Sequence, residues 1–299
     1  TASHNPPSDN GLKVSMRTAL PVGYANGLNE VERIVNAEPA SQGIPELAGS
    51  PPGNLHAISK IKDSALKTYL EWMKARRPDF GGLRFAVDCS NGMASILVHE
   101  LFPDAVVIND TLDGTFPNHS PNPLKAEARE QIAALVRERK LDCGLIFDGD
   151  ADRCLLVDET GGIIDGDKIL AVCARELKKQ GKLAGNTLVA TVMSNLGLHE
   201  FCRNHEIDLI CTSVGDRNVL EKMLENGYVI GGEQSGHIIF LDHSTTGDGE
   251  LTAAIILHTI YNVACLFYEH FFGIMGDQLS EFLILFFLCA LFALLAIFF

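Results

Sequence analysis

Several things are scarce or missing in this chain, and each absence removes a class of function. Its eight cysteines lie scattered at 89, 143, 154, 173, 202, 211, 265 and 289, with no CxxC pair among them. That excludes a zinc knuckle and a disulfide framework, and leaves reduced thiols in a cytoplasmic compartment as the simplest reading. No block of Lys and Arg occurs, and 24 basic against 38 acidic side chains give a net charge of −14. A nucleic-acid partner needs clustered cations to replace phosphate counterions, so that partner is excluded. Neither GxGxxG nor GxxxxGK[ST] is present, so nucleotide cofactors are not indicated. GxSxG is absent too, and with it the nucleophile turn of the α/β-hydrolases. No internal repeat recurs at a fixed period.

What is present describes a globular protein. Hydrophobic residues make up 46% of the 299 positions and charged residues 21%, a balance that rules out wholesale disorder and suggests about two domains. Residues 36–57, rich in Pro, Gly and Ser, read as a linker. Ser59–Arg77 carries apolar residues at helical spacing. Strands and helices then alternate. Strands are predicted at Leu83–Val87, Gly144–Phe147, Cys154–Val157, Thr187–Thr191 and Leu209–Ser213. Helices are predicted from near Ala94, over Lys125–Lys140 and Asp167–Gln180, from about Ser194, and over Asn218–Asn226. A hairpin-like loop falls in YVIGGEQSGHIIF, and a final helix capped by Asp248 runs to about His258. Such alternation predicts mostly parallel sheets covered by helices, with ligands at loops after the strands' carboxyl ends.

The two ends read differently. The first residues, TASHNP, are composed like the middle of a loop. Phe282–Phe299 is an uninterrupted apolar run of 18 residues, at the lower edge of transmembrane length and without flanking Lys or Arg. We read it as a frameshifted or misjoined end, with a membrane tail anchor as the alternative; only in that second case would a membrane be a partner.

Four constellations carry chemistry. Asp148, Asp150 and Asp152 alternate with small residues and are followed by Arg153. Three carboxylates this close repel unless a cation sits between them, and hard oxygen donors suit Mg2+. The loop leaves one apolar strand and enters another, which favours a built site over a solvated acidic turn. An EF-hand is excluded because the Glu at position 12 and the flanking helices are missing. Ser3 and His4, with Lys13 downstream, are weak alone; their interest is that a phosphorylated Ser3 would supply an anionic oxygen to such a metal. In Gly231–His237, Glu233 and Ser235 stand between glycines, where they suit vicinal sugar hydroxyls; a plain Gly-rich turn is an equal reading. Asp216 and Arg217 follow a strand, where the guanidinium either grips a phosphate or pairs with Asp216 to stabilise the following helix start, an equal reading. His99, His119, His199 and His205 have no metal-ligand spacing.

In series, TASHNP, DGDADR and GEQSGH resemble the phosphoserine, metal and sugar-selecting loops of the α-D-phosphohexomutase superfamily. The resemblance covers about 240 residues. The segments TVMSNLG, VGDRNVLEKM and GEQSGHIIFLDHSTTGDG look most like the branch acting on glucosamine phosphates, whereas DGTFPNHSPNPL (113–124) is more like phosphomannomutase/phosphoglucomutase relatives. The resemblance implies consecutive mixed-sheet α/β domains. These are 1–57, the end of an incomplete domain one with the phosphoserine loop; 58–165, domain two with the metal loop; 166–262, domain three with the sugar loop; and 263–299, the apolar tail standing where domain four is expected. It implies that Ser3 holds the phosphoryl group and, with Asp148, Asp150 and Asp152, ligates Mg2+. Lys13 and Arg153 would flank the transferring group, His4 or Lys13 would move the hydroxyl proton, and Glu233, Ser235, His237, Asp216 and Arg217 would hold a hexose or hexosamine phosphate. The expected activity is an intramolecular phosphotransfer between the 6- and 1-positions of glucosamine phosphate. With domain four unaccounted for, the expected behaviour of the chain is metal binding with little turnover. Two alternatives are a phosphatase with Asp148 as nucleophile and a non-catalytic sugar-phosphate binder.

Overall fold

The computed structural model describes residues 14–16, 20–37 and 55–272. Two compact units divide between Arg76 and Arg77. The smaller contains an isolated antiparallel bridge between Ser15 and Pro21, a 3-10 turn at Tyr24–Asn26 and two helices, α1 (Leu28–Ala37) and α2 (Leu55–Lys74). α1 buries none of its residues, and its Glu30–Arg33 pair at 2.6 Å is an exposed contact of small energetic weight. Near the end of α2, the Arg76 guanidinium lies 4.4 Å from the centre of the Trp72 ring.

The larger unit holds two sheets. The first is built from β1 (Phe85–Asp88), β2 (Val106–Ile108), β3 (Cys143–Phe147), β4 (Cys154–Asp158) and β5 (Ile163–Ile164), in the order β2-β1-β3-β4-β5. β1 runs parallel to β2 and β3, whereas β4 returns antiparallel on β3, with Phe147 opposite Cys154. The second sheet joins β6 (Thr187–Thr191), β7 (Asp208–Thr212), β8 (Ile230–Gly232) and β9 (Ile238–Phe240) in the order β7-β6-β8-β9. Its first three strands are parallel and β9 closes a hairpin on β8. Both sheets are therefore mixed, the second still mostly parallel, because in each a short loop folds the chain straight back where a crossover helix would have kept the direction.

Among the described residues six α-helices complete this unit: α3 (Val98–Leu101), α4 (Ala126–Arg139), α5 (Gly166–Lys179), α6 (Leu196–Asn204), α7 (Asp216–Asn226) and α8 (Gly249–Phe272). Their starts follow from side-chain caps. Asp165 accepts from the Lys168 amide, Asn195 from the Leu198 amide and Asp248 from the Leu251 amide, each satisfying a donor that the first helical turn leaves open. The helix expected from Ala94 is instead a 3-10 turn (Met93–Ile96) followed by the single turn of α3. α8 continues well past His258.

β3 is buried along its whole length, as a central strand covered on both faces must be. α4 lays Ile132, Ala133 and Val136 against Ala86 and Val157. Ile132 is fully buried, so Ile132→Ala removes three carbons from a packed interior and leaves a void. The expected cost is about 3 kcal/mol, read as a lower urea midpoint with an unchanged slope.

Candidate metal and sugar-phosphate site

The first sheet ends its two central strands in the loop 148–153. Asp148 is fully buried at the end of β3, and its Oδ1 accepts the Arg153 amide at 3.1 Å. Ala151 sits at φ +62°, and its amide turns back to the Asp148 carbonyl at 3.3 Å. That curl brings Asp148, Asp150 and Asp152 together, with one carboxylate oxygen from each inside a 4.8 Å span. The donor set consists of hard, anionic oxygens at graded depth, Asp148 buried and Asp150 exposed. At such spacing mutual repulsion favours an intervening divalent cation. The residues therefore fit a hard ion such as Mg2+.

Arg153 lies over the same carboxylates. Its Nε is 4.0 Å from Asp148 Oδ2 and 3.8 Å from Asp152 Oδ1, and it is buried without a hydrogen bond. A buried guanidinium donor left unmet is costly unless an incoming acceptor satisfies it. The start of α8 reaches the loop from below, with the Gly249 amide donating to the Ala151 carbonyl at 2.9 Å.

The second sheet delivers its β8–β9 hairpin to the same place. The Cys154 amide, one residue past the metal loop, donates to the Gly236 carbonyl at 3.1 Å. Glu233 is fixed on both oxygens: Oε1 accepts the Gly215 amide at 2.9 Å and Oε2 the Ser235 hydroxyl at 3.3 Å. The two side chains proposed for sugar hydroxyls are thus presented as a pair. Asp167, buried at the start of α5, accepts from Ser194 Oγ and the Asn195 amide, and its neighbour Gly166 donates to the Gln234 carbonyl in the hairpin loop at 3.0 Å, so that α5 ties the loop after β6 to the hairpin.

His237 is almost wholly buried and links three loops. Its Nδ1 faces Asp152 Oδ2 at 3.4 Å, its Nε2 lies 3.9 Å from Asp216 Oδ2, and the Gly247 amide donates to that Nε2 at 3.1 Å. Burial works against a charged ring, but Asp152, Asp216 and Glu233 outweigh it and hold the pKa above the ordinary histidine value. The ring's polar atoms are turned toward the metal loop and α7.

Of the residues read from sequence, the structure brings together Asp148, Asp150, Asp152, Arg153, Asp216, Glu233, Ser235 and His237. Arg217 stands apart: its Nε donates to Glu221 on its own helix at 2.7 Å, a different partner from the Asp216 weighed as its alternative. Ser3, His4 and Lys13 fall outside the described residues, as does the apolar run 282–299. Among the described residues no helix is long and apolar enough to cross a membrane. Sequence reading places a turn at CSNGM (89–93) after the first strand, but gives no sign that its Ser90 and Met93 bond to the carbonyls beside Asp148.

Two domain models of one family account for most of this architecture. Residues 64–162 match phosphoglucomutase/phosphomannomutase α/β/α domain II, and residues 165–264 match α/β/α domain III. The chain belongs to the α-D-phosphohexomutase superfamily.

Within that superfamily it is 45% identical to the phosphoglucosamine mutase of Clostridium beijerinckii over 258 residues, covering 85% of this chain and 55% of that protein. It is also 45% identical to that of Acetivibrio thermocellus, covering 87% and 57%. A crystal structure of a phosphoglucomutase/phosphomannomutase family protein from Burkholderia thailandensis superposes with a TM-score of 0.61 at 29% identity, over 66% of this chain and 44% of that one. The chain thus spans little more than half the length of the curated relatives it matches.

Proposed function

We propose that this site belongs to a phosphoglucosamine mutase, interconverting glucosamine 6-phosphate and glucosamine 1-phosphate by way of a phosphoserine and a 1,6-bisphosphate. The observation that carries the reading is the juxtaposition of the three-aspartate loop and the unmet Arg153 Nε with the Glu233–Ser235 pair, all joined through the Cys154–Gly236 contact. One half suits a phosphoryl group and the other a sugar. The identity to phosphoglucosamine mutases supports the choice of sugar.

Asp148, Asp150 and Asp152, with the Ser3 phosphate, would hold Mg2+, which when bound neutralises charge on the transferring phosphoryl oxygens. The Ser3 Oγ–P bond breaks as the sugar O1 forms its own bond to phosphorus. His4 or Lys13 accepts the hydroxyl proton. Arg153 balances the equatorial charge. Glu233 and Ser235 hold the ring hydroxyls in either orientation of the bisphosphate, so that its 6-phosphoryl group can return to Ser3 and release the 1-phosphate. A water-poor setting matters because an exposed phosphoserine in this field would hydrolyse.

The test is phosphopeptide mapping of the full chain after incubation with Mg2+ and a hexosamine 1,6-bisphosphate. Phosphate on Ser3 is expected. Phosphate on Asp148 would replace the mutase reading with a phosphatase-like one. Equal labelling from mannose and glucose bisphosphates would favour the phosphomannomutase/phosphoglucomutase alternative that DGTFPNHSPNPL suggests.

A further inference from the structure

The segment DGTFPNHSPNPL takes no part in the site described above, yet it supplies one member of a buried ion pair next to it. Asp88, at the carboxyl end of β1, is fully buried. Its Oδ1 accepts the Ser90 amide at 2.8 Å and Asn109 Nδ2 at 3.0 Å, and its Oδ2 meets His119 Nε2 at 3.0 Å. The other ring nitrogen of His119 lies 2.9 Å from the Ser120 carbonyl. A carbonyl only accepts, so Nδ1 carries a proton. An ionised Asp88, already taking two donors, also only accepts, so Nε2 carries one as well. The geometry is that of an imidazolium locked onto a carboxylate, with the histidine side chain 4% exposed.

The pair's other contacts lead directly to the metal loop. Asp88 orders the turn 89–93, where Ser90 and Asn91 both sit at positive φ. Ser90 Oγ donates to the Phe147 carbonyl at 2.6 Å, and the Met93 amide donates to the Gly149 carbonyl at 3.0 Å. These two carbonyls flank Asp148 on either side. Between them Gly92 is so close that a Cβ there would fall 2.6 Å from the Gly149 oxygen. Asn118, the neighbour of His119, donates to Asn91 Oδ1 at 2.9 Å and draws the segment onto the same turn.

We propose that Asp88 and His119 are positioning residues for the metal loop: their ion pair holds the 89–93 turn against the carbonyls on both sides of Asp148 and so sets where that ligand points. The inference rests on the metal-site reading above. It is of the same kind as outer partners that orient first ligands, whose loss costs 10–100-fold in metal affinity. The neighbouring Cys89 thiol feels Asp88, Asp110 after β2 and Glu250 in the first turn of α8, and Arg129 of α4 donates to the Pro123 carbonyl of the His119 segment at 2.7 Å. Of these Asp110 is engaged by His99 Nε2 at 2.8 Å. Burial lowers the proton affinity of His119, but the hydrogen bond and charge of Asp88 raise it further, to a net value above the ordinary 6.5. The pair is therefore complete below pH about 6.5 and is lost as pH rises through the ring's elevated value.

The experiment measures Mn2+ binding by electron paramagnetic resonance, and amide hydrogen exchange of the metal-free full chain, for wild type, His119→Gln and Asp88→Asn. Both variants are expected to bind Mn2+ roughly tenfold more weakly. Both are expected to exchange faster at the Met93 and Arg153 amides, with the amides of β6 unchanged. Wild-type affinity is expected to decline as pH rises above 6.5 through the His119 titration, a decline absent in His119→Gln. Equal affinity and an unchanged pH profile in His119→Gln would overturn the proposal. So would loss of protection spread evenly over both sheets, which marks a merely structural role. If wild type takes up no Mn2+, the metal reading fails and the exchange at Met93 and Arg153 decides the pair's role alone. If neither variant folds, wild type still decides. Nitrogen NMR must then show the His119 ring losing its second proton above the pH of an ordinary imidazole, and exchange at Met93 and Arg153 must rise across that same transition beyond intrinsic base catalysis; a ring that loses it at or below the ordinary value sinks the idea.

Discussion

Asp148→Asn is expected to lower divalent-cation affinity by at least on the order of 100-fold, more than the loss of an outer partner, while leaving the metal-free fold as stable or slightly more so. The two effects have opposite signs for a physical reason. The Arg153 amide rests on Asp148 Oδ1, and an asparagine oxygen accepts that bond equally well. What the substitution removes is charge. Three carboxylates within 4.8 Å repel by about 1 kcal/mol per pair even at water's dielectric, so the metal-free loop relaxes. The bound ion meanwhile loses its deepest anionic donor. Calorimetry with Mg2+ reads the affinity, and thermal melts with and without Mg2+ read the stability. Wild type should gain RT ln(1 + [L]/Kd) from the ion, and the variant should gain almost nothing. A solvated acidic turn of no function would show neither effect.

The second large effect is Gly236→Ala, expected to destabilise the chain by about 3 kcal/mol or more. Gly236 has φ +93°, a conformation costly for any residue with a side chain. A Cβ there would also lie 2.6 Å from the Cys154 carbonyl oxygen and 2.7 Å from Leu155 Cδ2. The neighbouring oxygen belongs to a ladder strand and has no room to yield. Gly227→Ala is the control, because Gly227 has φ +70° but open space around its missing Cβ; that change should cost only about 1 kcal/mol. Urea denaturation of the two variants separates the strain of the backbone from the collision. The collision also falls on the joint between hairpin and metal loop, so Gly236→Ala should weaken Mg2+ binding and Gly227→Ala should not.

Much of the fold was legible because its strands announce themselves by composition and length. Thr187–Thr191 was bounded without error, and β3, β4 and β7 fall within a residue of expectation at each end, since each is an apolar run closed by polar turn chemistry. β2 and β5 were not seen. Three and two residues long, they owe their conformation to the neighbour they pair with and carry no periodicity of their own. The short helix after β1 was misread for a similar reason: Ser90 and Asn91 at positive φ consume the residues that a first helical turn would need. At the site, Asp148, Asp150, Asp152, Glu233 and Ser235 stood out because chemistry concentrates them in short loops. His119 did not. Its partner Asp88 lies 31 positions away, and only the parallel pairing of β1 with β2 and β3 brings that loop over the end of the sheet. Arg217 was read as a phosphate ligand or as the partner of Asp216; neither reading foresaw its contact with Glu221, one helical turn on.

The antiparallel return of β4 on β3, with Phe147 facing Cys154, has a further consequence. Both strands are buried almost throughout, so β4 has no spare face to present. Lengthening or shortening the six-residue DGDADR connection by a single amino acid would push β4 one step along its partner and exchange the side chains packed on its two buried faces. The length of that connection is therefore held as tightly as its three aspartates.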